Sequence, residues 1–384
     1  MKRMLCAVLT AALLWMPLKA GAVPPEELGK SICLMEVSTG TVLMEHNSHE
    51  KLAPASVTKI MTMLLIMEAV DSGQIRLDDP VTASESAAAK GGSQVYLKAG
   101  EIMSVSDMLK SIAVSSANDC ACAMAEHLAG SESAFVEKMN AKAQELGMKD
   151  THFVNCTGLD DGENASEHRT TAYDIALMSR ELLLKHPGIK KFTTIWMDSI
   201  RNGTFGLSNT NKLIRFYPGA TGLKTGFTSG AGYCLSATAD KEGMELIAVM
   251  MGSETSAKRN AACKSMLDYG YANYALFSPE IPETTEVPVI LGTSETVSLI
   301  PAEPVSMLVE KAQKASVTWK ISAEPSVSAP VSKGQKLGNL QILCGDQVLS
   351  EIPMLAQEAV GRLTWGQLFG RVLRQVAMAK PVSG

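Results

Sequence analysis

No excess of charge of either sign marks this chain: 35 Lys and Arg stand against 40 Asp and Glu, a net charge of −5. A protein that holds nucleic acid needs a basic face to displace counterions, so that class of partner has no electrostatic support. A disulfide framework is lacking too. The eight cysteines become seven once Cys6 is set aside with the leader described below, an odd number. Cys33, Cys120, Cys122, Cys156, Cys234, Cys263 and Cys344 lie mostly inside apolar runs, and Cys120 and Cys122 are placed poorly for a bridge or a zinc knuckle. They read as small buried hydrophobes with at most one incidental disulfide.

What is present begins with a leader. Residues 1–22 have a basic start (Lys2, Arg3), an apolar run from Met4 to Leu18, and Ala20-Gly21-Ala22, which fits a small-residue cleavage site. That is the pattern of a secretory signal peptide, excluded from the fold. The mature chain is expected to start near Val23, leaving about 360 residues, enough for two domains.

The pattern then predicts a hairpin from Ser31–Met35 and Thr41–Glu45 about Ser38-Thr39-Gly40, and an apolar helix over Ile60–Val70 ended by Asp71-Ser72-Gly73. A polar, exposed stretch is expected up to about Gly100. Helices are expected over Ser106–Ala113, Cys120–Leu128, Ser133–Leu146 and Thr171–Leu184, the last capped by Thr170 or Thr171 and stopped near Pro187. Gly232–Ala239 and Met244–Met251 read as neighbouring strands, and Ala257–Tyr269 as a closing helix. Strands at both ends with helices between them predict one mixed α/β domain whose terminal strands share a sheet.

Three short motifs sit at breaks in this pattern. Ser56-Val57-Thr58-Lys59 opens the apolar helix, and a serine and a lysine three apart lie on one helical face. A serine hydroxyl is a weak nucleophile without a base beside it. Lysine can be that base when burial or nearby positive charge lowers its pKa. A first helical turn also brings backbone N–H groups and the helix dipole to the serine, where an oxyanion would form. Taken alone, the pair could equally be a helix-capping serine and a solvated lysine. Ser48-His49-Glu50-Lys51 repeats the spacing, but in a polar turn with no apolar run behind it. Ser116-Ala117-Asn118 lies between two helices, where a loop can project side chains into a cleft, or simply cap and turn the chain. Lys224-Thr225-Gly226 stands before the Tyr233 strand, and by itself is a strand-entry lysine with a turn glycine.

In this order, with Ser116 following Ser56 by 60 residues and Lys224 following Asn118 by 106, the motifs form the set of class A β-lactamases and penicillin-binding proteins. Almost the whole mature chain resembles the D-alanyl-D-alanine carboxypeptidases, the low-molecular-mass penicillin-binding proteins. Leu52–Lys59, Ser116–Asp119, His168–Asp174 and Gly222–Thr228 carry the likeness, with Arg259 placed eleven residues before a Gly270 expected to end the closing helix.

The resemblance implies a β-lactamase/transpeptidase-like α+β domain over 23–277, with an antiparallel sheet and a helical subdomain. It implies Ser56 as the acylated nucleophile, Lys59 as general base, Ser116 as proton relay and Asn118 as the group that orients Lys59 and the substrate amide. Lys224 would add positive charge beside them. Thr225 and Arg259 would bind the substrate's terminal carboxylate, with Gly226 in the same motif. The backbone N–H groups of Ser56 and Phe227 would form the oxyanion hole. No metal or cofactor is implied. The implied substrate is the D-Ala-D-Ala end of peptidoglycan stem peptides in the cell wall, with β-lactams as covalent inhibitors. Phe227 stands where some relatives carry histidine, and Ala117 where some carry glycine. A DD-endopeptidase with the same residues, or a slowly acylated penicillin-binding scaffold, are the neighbouring readings. Class A β-lactamases use a glutamate of a Glu-x-x-x-Asn loop to deacylate. Between Asn118 and Lys224 no glutamate has asparagine four residues on; Glu163 meets Glu167 there. Fast β-lactam hydrolysis is therefore not expected.

Beyond Leu276, Ser278–Glu283 breaks the helical pattern, and short alternating strands with turn signals follow. This predicts a small all-β sandwich over 284–357. The last stretch, 360–380, places Trp365, Leu368, Phe369, Val372 and Val376 on one helical face with Arg362, Arg371, Arg374 and Lys380 on the rest, and contains no acid. A basic amphipathic helix of this kind suits a membrane surface and is too polar to span one; docking on the β domain is the alternative.

Overall fold

The computed structural model describes residues 24–160, 164–281, 285–303 and 305–378. The leader expected over 1–22 lies outside them.

Strands β1 (Ser31–Glu36), β2 (Val42–His46), β3 (Ala220–Thr228), β4 (Gly232–Lys241) and β5 (Met244–Ser253) form one antiparallel sheet in the order β2-β1-β5-β4-β3. The N-terminal hairpin thus docks on the strands from late in the chain, as the sequence pattern predicts. All six residues of β1 are buried, and the period of two explains why. Cys33 and Met35 join one apolar cluster with Ile247, Val249 and Met251 of β5. Ile32 and Leu34 join a second with Leu246, Ala248 and Met250. The sheet is therefore covered on both faces.

The first cluster is helical. Helix α1 (Lys59–Asp71) has Ile60, Met61, Met63, Leu64 and Ile66 at 0% exposure, so it is apolar nearly all round and runs through the core. Around it lie α2 (Val105–Ser115), α3 (Asn118–Ala129), α4 (Glu132–Glu145) and α5 (Ala172–Lys185). Ser104, Ser131 and Thr171 cap α2, α4 and α5 by accepting backbone N–H groups with their hydroxyls. The second cluster sits under α6 (Ser256–Asn273), capped by Thr255.

Three expectations are corrected. Residues 73–100 are not uniformly exposed, because Ala87, Val95 and Leu97 are buried. Next to them, Pro80–Thr82 pairs with Ile102–Ser104. Gly270 does not end α6, which continues to Asn273. It lies where the helix meets the sheet, and a Cβ there would stand 2.5 Å from Leu246 Cδ1, so any larger residue would have to displace that leucine. Lys224-Thr225-Gly226 is not a strand entry but the middle of β3, with Lys224 opposite Ser236, Thr225 opposite Leu235 and Gly226 opposite Cys234. Cys33, Cys120, Cys122, Cys156, Cys234, Cys263 and Cys344 are all free thiols, buried except for the half-buried Cys344.

After α6 the chain forms β6 (Tyr274–Phe277) and passes into an all-β region. Its strands are β7 (Glu286–Ile290), β8 (Thr296–Pro301), β9 (Met307–Glu310), β10 (Val317–Ala323), β11 (Val327–Ser328), β12 (Lys336–Cys344) and β13 (Gln347–Ala356). Six of them are hydrogen-bonded in the order β10-β12-β13-β8-β7-β11 around Val287, Leu299, Leu340 and Met354, while β9 pairs with β6. Bridges from Val360 to Val331 and from Arg362 to Gly292 hold the chain to this region, so the terminal helix α7 starts later than expected and spans Trp365–Met378. Trp365, Phe369, Val372 and Leu373 on it are exposed. Among the described residues no helix is long and apolar enough to cross a membrane.

Candidate active site

Four segments converge on Ser56. It sits in a one-turn 3-10 helix, Ala55–Thr58, which runs directly into α1. Ser56 is thus one turn ahead of α1, not in its first turn, and is not a side-chain cap. Lys59 Nζ donates to Ser56 Oγ at 3.0 Å and to the Thr157 carbonyl at 2.7 Å. Lys59 is fully buried, and burial lowers its pKa to about 7. Smaller contributions from Cys156 and Asp119 act the other way. Lys224 is itself pushed well below the ordinary lysine range, by burial first and then by Lys59 and Arg259.

Ser116 and Asn118 come from the α2–α3 junction. Ser116 stands in the left-handed region, φ 65°, and reverses the chain between the helices. Its hydroxyl has no hydrogen-bond partner among the described residues. Asn118 fixes its amide by donating from Nδ2 to the Gly91 carbonyl at 2.7 Å, and its backbone N–H donates to Ser93 at 2.7 Å. Asn118 Oδ1 is buried without a partner among the described residues. An orphaned amide oxygen is costly unless a ligand or water supplies a donor.

Asp119 has no role in the sequence reading, yet it fixes this wall. Its carboxylate is fully buried and accepts from Val95 N–H at 3.1 Å, Leu97 N–H at 3.0 Å and Cys120 N–H at 2.9 Å. Asp119→Ala would leave those donors unpaired, so a loss of about 3 kcal/mol in urea unfolding is expected. A change below about 0.5 kcal/mol would contradict it.

The opposite wall is β3. A Cβ at Gly226 would lie 2.8 Å from the Pro54 carbonyl oxygen and 3.1 Å from Ser56 N, so β3 runs hard against the turn that holds Ser56. Lys224 Nζ donates to the Thr225 carbonyl at 2.8 Å, and the hydroxyls of Thr225 and Thr210 are 2.7 Å apart. Phe227 is half exposed, with its ring 4.3 Å from that of Tyr233. Arg259, from the start of α6, is 5% exposed. Its guanidinium donates to Asn260 Oδ1 and to the Cys234 carbonyl, and lies 5.9 Å from the Tyr233 ring. Among the described residues it has no carboxylate partner. A buried cation without a counter-ion is a ready receptor for a carboxylate.

Thr157, Gly158 and His168 also belong to the site. The Thr157 carbonyl orients Lys59, and the turn that presents it is held by Asn155 Oδ1, which accepts from the N–H groups of Thr157 and Gly158. An Asn followed three residues on by Gly is a readable turn signal. Nothing local in the sequence tells that this turn meets Lys59, 98 residues away. Ser48, the serine of the repeated spacing, bonds Glu45 instead. Among the described residues no cluster of His, Cys, Asp and Glu is arranged to hold a metal ion.

Comparison with known proteins places this chain in a family. The D-alanyl-D-alanine carboxypeptidase family, peptidase S11, matches residues 19–255, and the penicillin-binding protein 5 C-terminal domain matches 279–362. The D-alanyl-D-alanine carboxypeptidase DacF of Bacillus subtilis is 47% identical over 335 residues, 86% of this chain and 85% of that protein. DacC of Escherichia coli is 34% identical, covering 90% of this chain and 86% of that one. Penicillin-binding protein 5 from Haemophilus influenzae superposes with a TM-score of 0.75 at 29% identity, covering 89% of this chain and all of that one. Penicillin-binding protein D2 from Listeria monocytogenes, solved in an ampicillin-bound form, gives a TM-score of 0.58 at 30% identity over 64% of this chain and 98% of that one. The family match and the identity over most of both chains agree, and this chain belongs to the peptidase S11 family of D-alanyl-D-alanine carboxypeptidases.

Proposed function

We propose that the protein is a serine D-Ala-D-Ala carboxypeptidase that removes the terminal D-alanine from peptidoglycan stem pentapeptides through an acyl-enzyme on Ser56. The observation that carries this reading is the 3.0 Å contact between Ser56 Oγ and a fully buried Lys59 whose pKa is brought to about 7. A neutral lysine at that distance takes the hydroxyl proton as Oγ attacks the carbonyl of the D-Ala–D-Ala bond. The N–H groups of Ser56 and Phe227 receive the oxyanion. Ser116 relays the proton to the leaving amine, and D-alanine departs. Lys59 then activates water to hydrolyse the ester. The orphaned Asn118 Oδ1 accepts the substrate amide N–H. Thr225 and the counter-ion-free Arg259 hold the terminal carboxylate, and Lys224 strengthens the positive field once that anion is bound. β-Lactams acylate the same serine.

Incubation of the purified protein with a muropeptide pentapeptide, with Ser56→Ala alongside, tests this by mass spectrometry of free D-alanine. Release from the parent and none from the variant is expected. No release from a parent that still takes up fluorescent penicillin would overturn the reading. Cleavage of cross-linked dimer would then favour the endopeptidase, and inert dimer the scaffold.

Residues 1–22 serve as an export leader in this account, and α7 rests on the outer face of the cytoplasmic membrane. The exposed Trp365, Phe369, Val372 and Leu373 support this, with Arg371 and Arg374 near them to meet anionic headgroups. The protein is expected to co-sediment with phosphatidylglycerol vesicles and to lose most of that binding with Trp365→Ser and Phe369→Ser combined. Equal binding by the variant would contradict it.

A further inference from the structure

His168 is buried beneath the nucleophile turn, and its hydrogen bonds run in one direction. Its Nδ1 accepts the Val154 backbone N–H at 3.2 Å. That fixes the neutral tautomer with the proton on Nε2. Nε2 lies 2.8 Å from Thr58 Oγ1 and therefore donates to it. The Thr58 hydroxyl, its lone pair taken, donates onward to the Ala55 carbonyl at 2.9 Å. Burial first, with smaller contributions from neighbouring cationic groups such as Arg169, lowers its pKa to about 4 and keeps the imidazole neutral.

The end of this chain of bonds is the peptide group that joins Ala55 to Ser56. A trans peptide is rigid and planar, so its C=O and N–H point in opposite directions. Whatever pins the Ala55 oxygen also aims the Ser56 N–H. The pinning is needed because Ala55, an alanine, is held in the left-handed region at φ 48°. Gly158 closes over the same oxygen, since a Cβ on it would come within 1.8 Å of Ala55 O and 2.8 Å of Thr58 Oγ1. On the far side of the turn, Gly226 of β3 packs beside Ser56 N. The Ser56 N–H is thus directed from behind by two side chains that do not face the cleft.

We propose that His168 and Thr58 are positioning residues for the oxyanion hole: the His168-to-Thr58-to-Ala55 bonds hold the strained turn so that the Ser56 N–H meets the developing oxyanion. The inference rests on the proposed Ser56 acylation and adds to it. Neither side chain touches substrate, and the effect falls on the bond-making step, not on binding.

The test separates those two steps. Stopped-flow acylation of the full chain by a fluorescent penicillin gives the dissociation constant of the first complex and the rate constant for acylation. Thr58→Val keeps the shape and deletes the hydroxyl. It is expected to slow acylation by about ten- to a hundredfold, less than removing an oxyanion donor outright, with the dissociation constant changed less than about threefold. Thr58→Ser restores the hydroxyl and keeps the rate. His168→Ala slows acylation similarly, and the double variant is no slower than the worse single one, because both break one chain. Acylation by Thr58→Val at the parental rate, or equal losses in binding and acylation, would overturn the inference. So would fully multiplicative effects in the double variant. Ser56→Ala in the same series reports on the underlying reading. If it still acquires label, that reading fails; if it is inert while Thr58→Val is normal, only the positioning role fails.

Discussion

Replacing Lys59 by methionine is expected to slow acylation by about 10²–10⁴-fold, the ordinary worth of a general base, and at the same time to stabilise the fold. Methionine has much the same length and carries no charge into a site that is fully buried. The sign follows from the proton count. The folded pKa of Lys59 is lowered from 10.5 to about 7, so the folded state binds fewer protons than the unfolded chain between those values. Well below pH 7 both states are protonated and the parent carries the full cost of the buried charge. As pH rises from about 7 toward 10.5 that cost disappears. The gain from Lys59→Met is therefore largest well below pH 7, on the order of a few kcal/mol, and shrinks across that window. Part is offset because the Thr157 carbonyl loses its donor. Urea unfolding at pH 6.5 and pH 9 measures it. A variant less stable than the parent at pH 6.5, or acylated at the parental rate, would contradict the reading of Lys59 as a desolvated base.

Gly158→Ala is expected to cost at least about 3 kcal/mol and most of the activity. Two independent penalties coincide. Gly158 has φ +83°, where an L side chain is strained, and its Cβ would sit 1.8 Å from the Ala55 oxygen and 2.4 Å from the Ala55 carbon. Both are backbone atoms of the nucleophile turn, so no flexible side chain can move aside. Relief requires shifting either that turn or the neighbouring Thr157 carbonyl, and with it Lys59. Thermal unfolding and penicillin uptake together check this. Gly203, at φ +88° with nothing within 4 Å of an added Cβ, serves as the comparison, since Gly203→Ala meets strain alone. Equal effects at the two positions would show that the close approach to Ala55 does not matter.

The sequence made some of this architecture legible and hid the rest for physical reasons. Helix α2 was readable from the spacing of Val105, Met108, Leu109 and Ile112 on one face, and α5 from its hydroxyl cap at Thr171, whereas the caps Ser104 and Ser131 show only in the structure. Ser56 and Lys59 were readable because their spacing works on any helical turn. Strand β3 was not readable, since its two Gly residues, Ala220 and Lys224 lack strand character and are held by pairing with β4 and by packing on the turn that carries Ser56. The buried anchors Val95 and Leu97 were lost in a polar stretch, because what buries them is the Asp119 carboxylate taking their N–H groups from more than twenty residues away. His168 stood inside a recognisable motif, yet its partner Thr58 is 110 residues distant and no local pattern joins them.

Burial lowers the pKa of Lys59 and of Lys224 alike, and the repulsion between these two lysines and Arg259 adds to it at Lys224. Arg259 is buried with no carboxylate partner among the described residues, and its charge bears on Lys224. A substrate that ends in a carboxylate relieves this, whereas an amidated end does not.

The account turns on Ser56 as a nucleophile served by a buried, neutral Lys59. The most direct test is brief labelling of the protein with a penicillin across pH 5–9, followed by digestion and mass spectrometry of the adduct. One adduct is predicted, on the peptide that carries Ser56, with a labelling rate that climbs as pH passes about 7 and then levels. An adduct on any other residue, or a rate on Ser56 that ignores pH across that range, would contradict it.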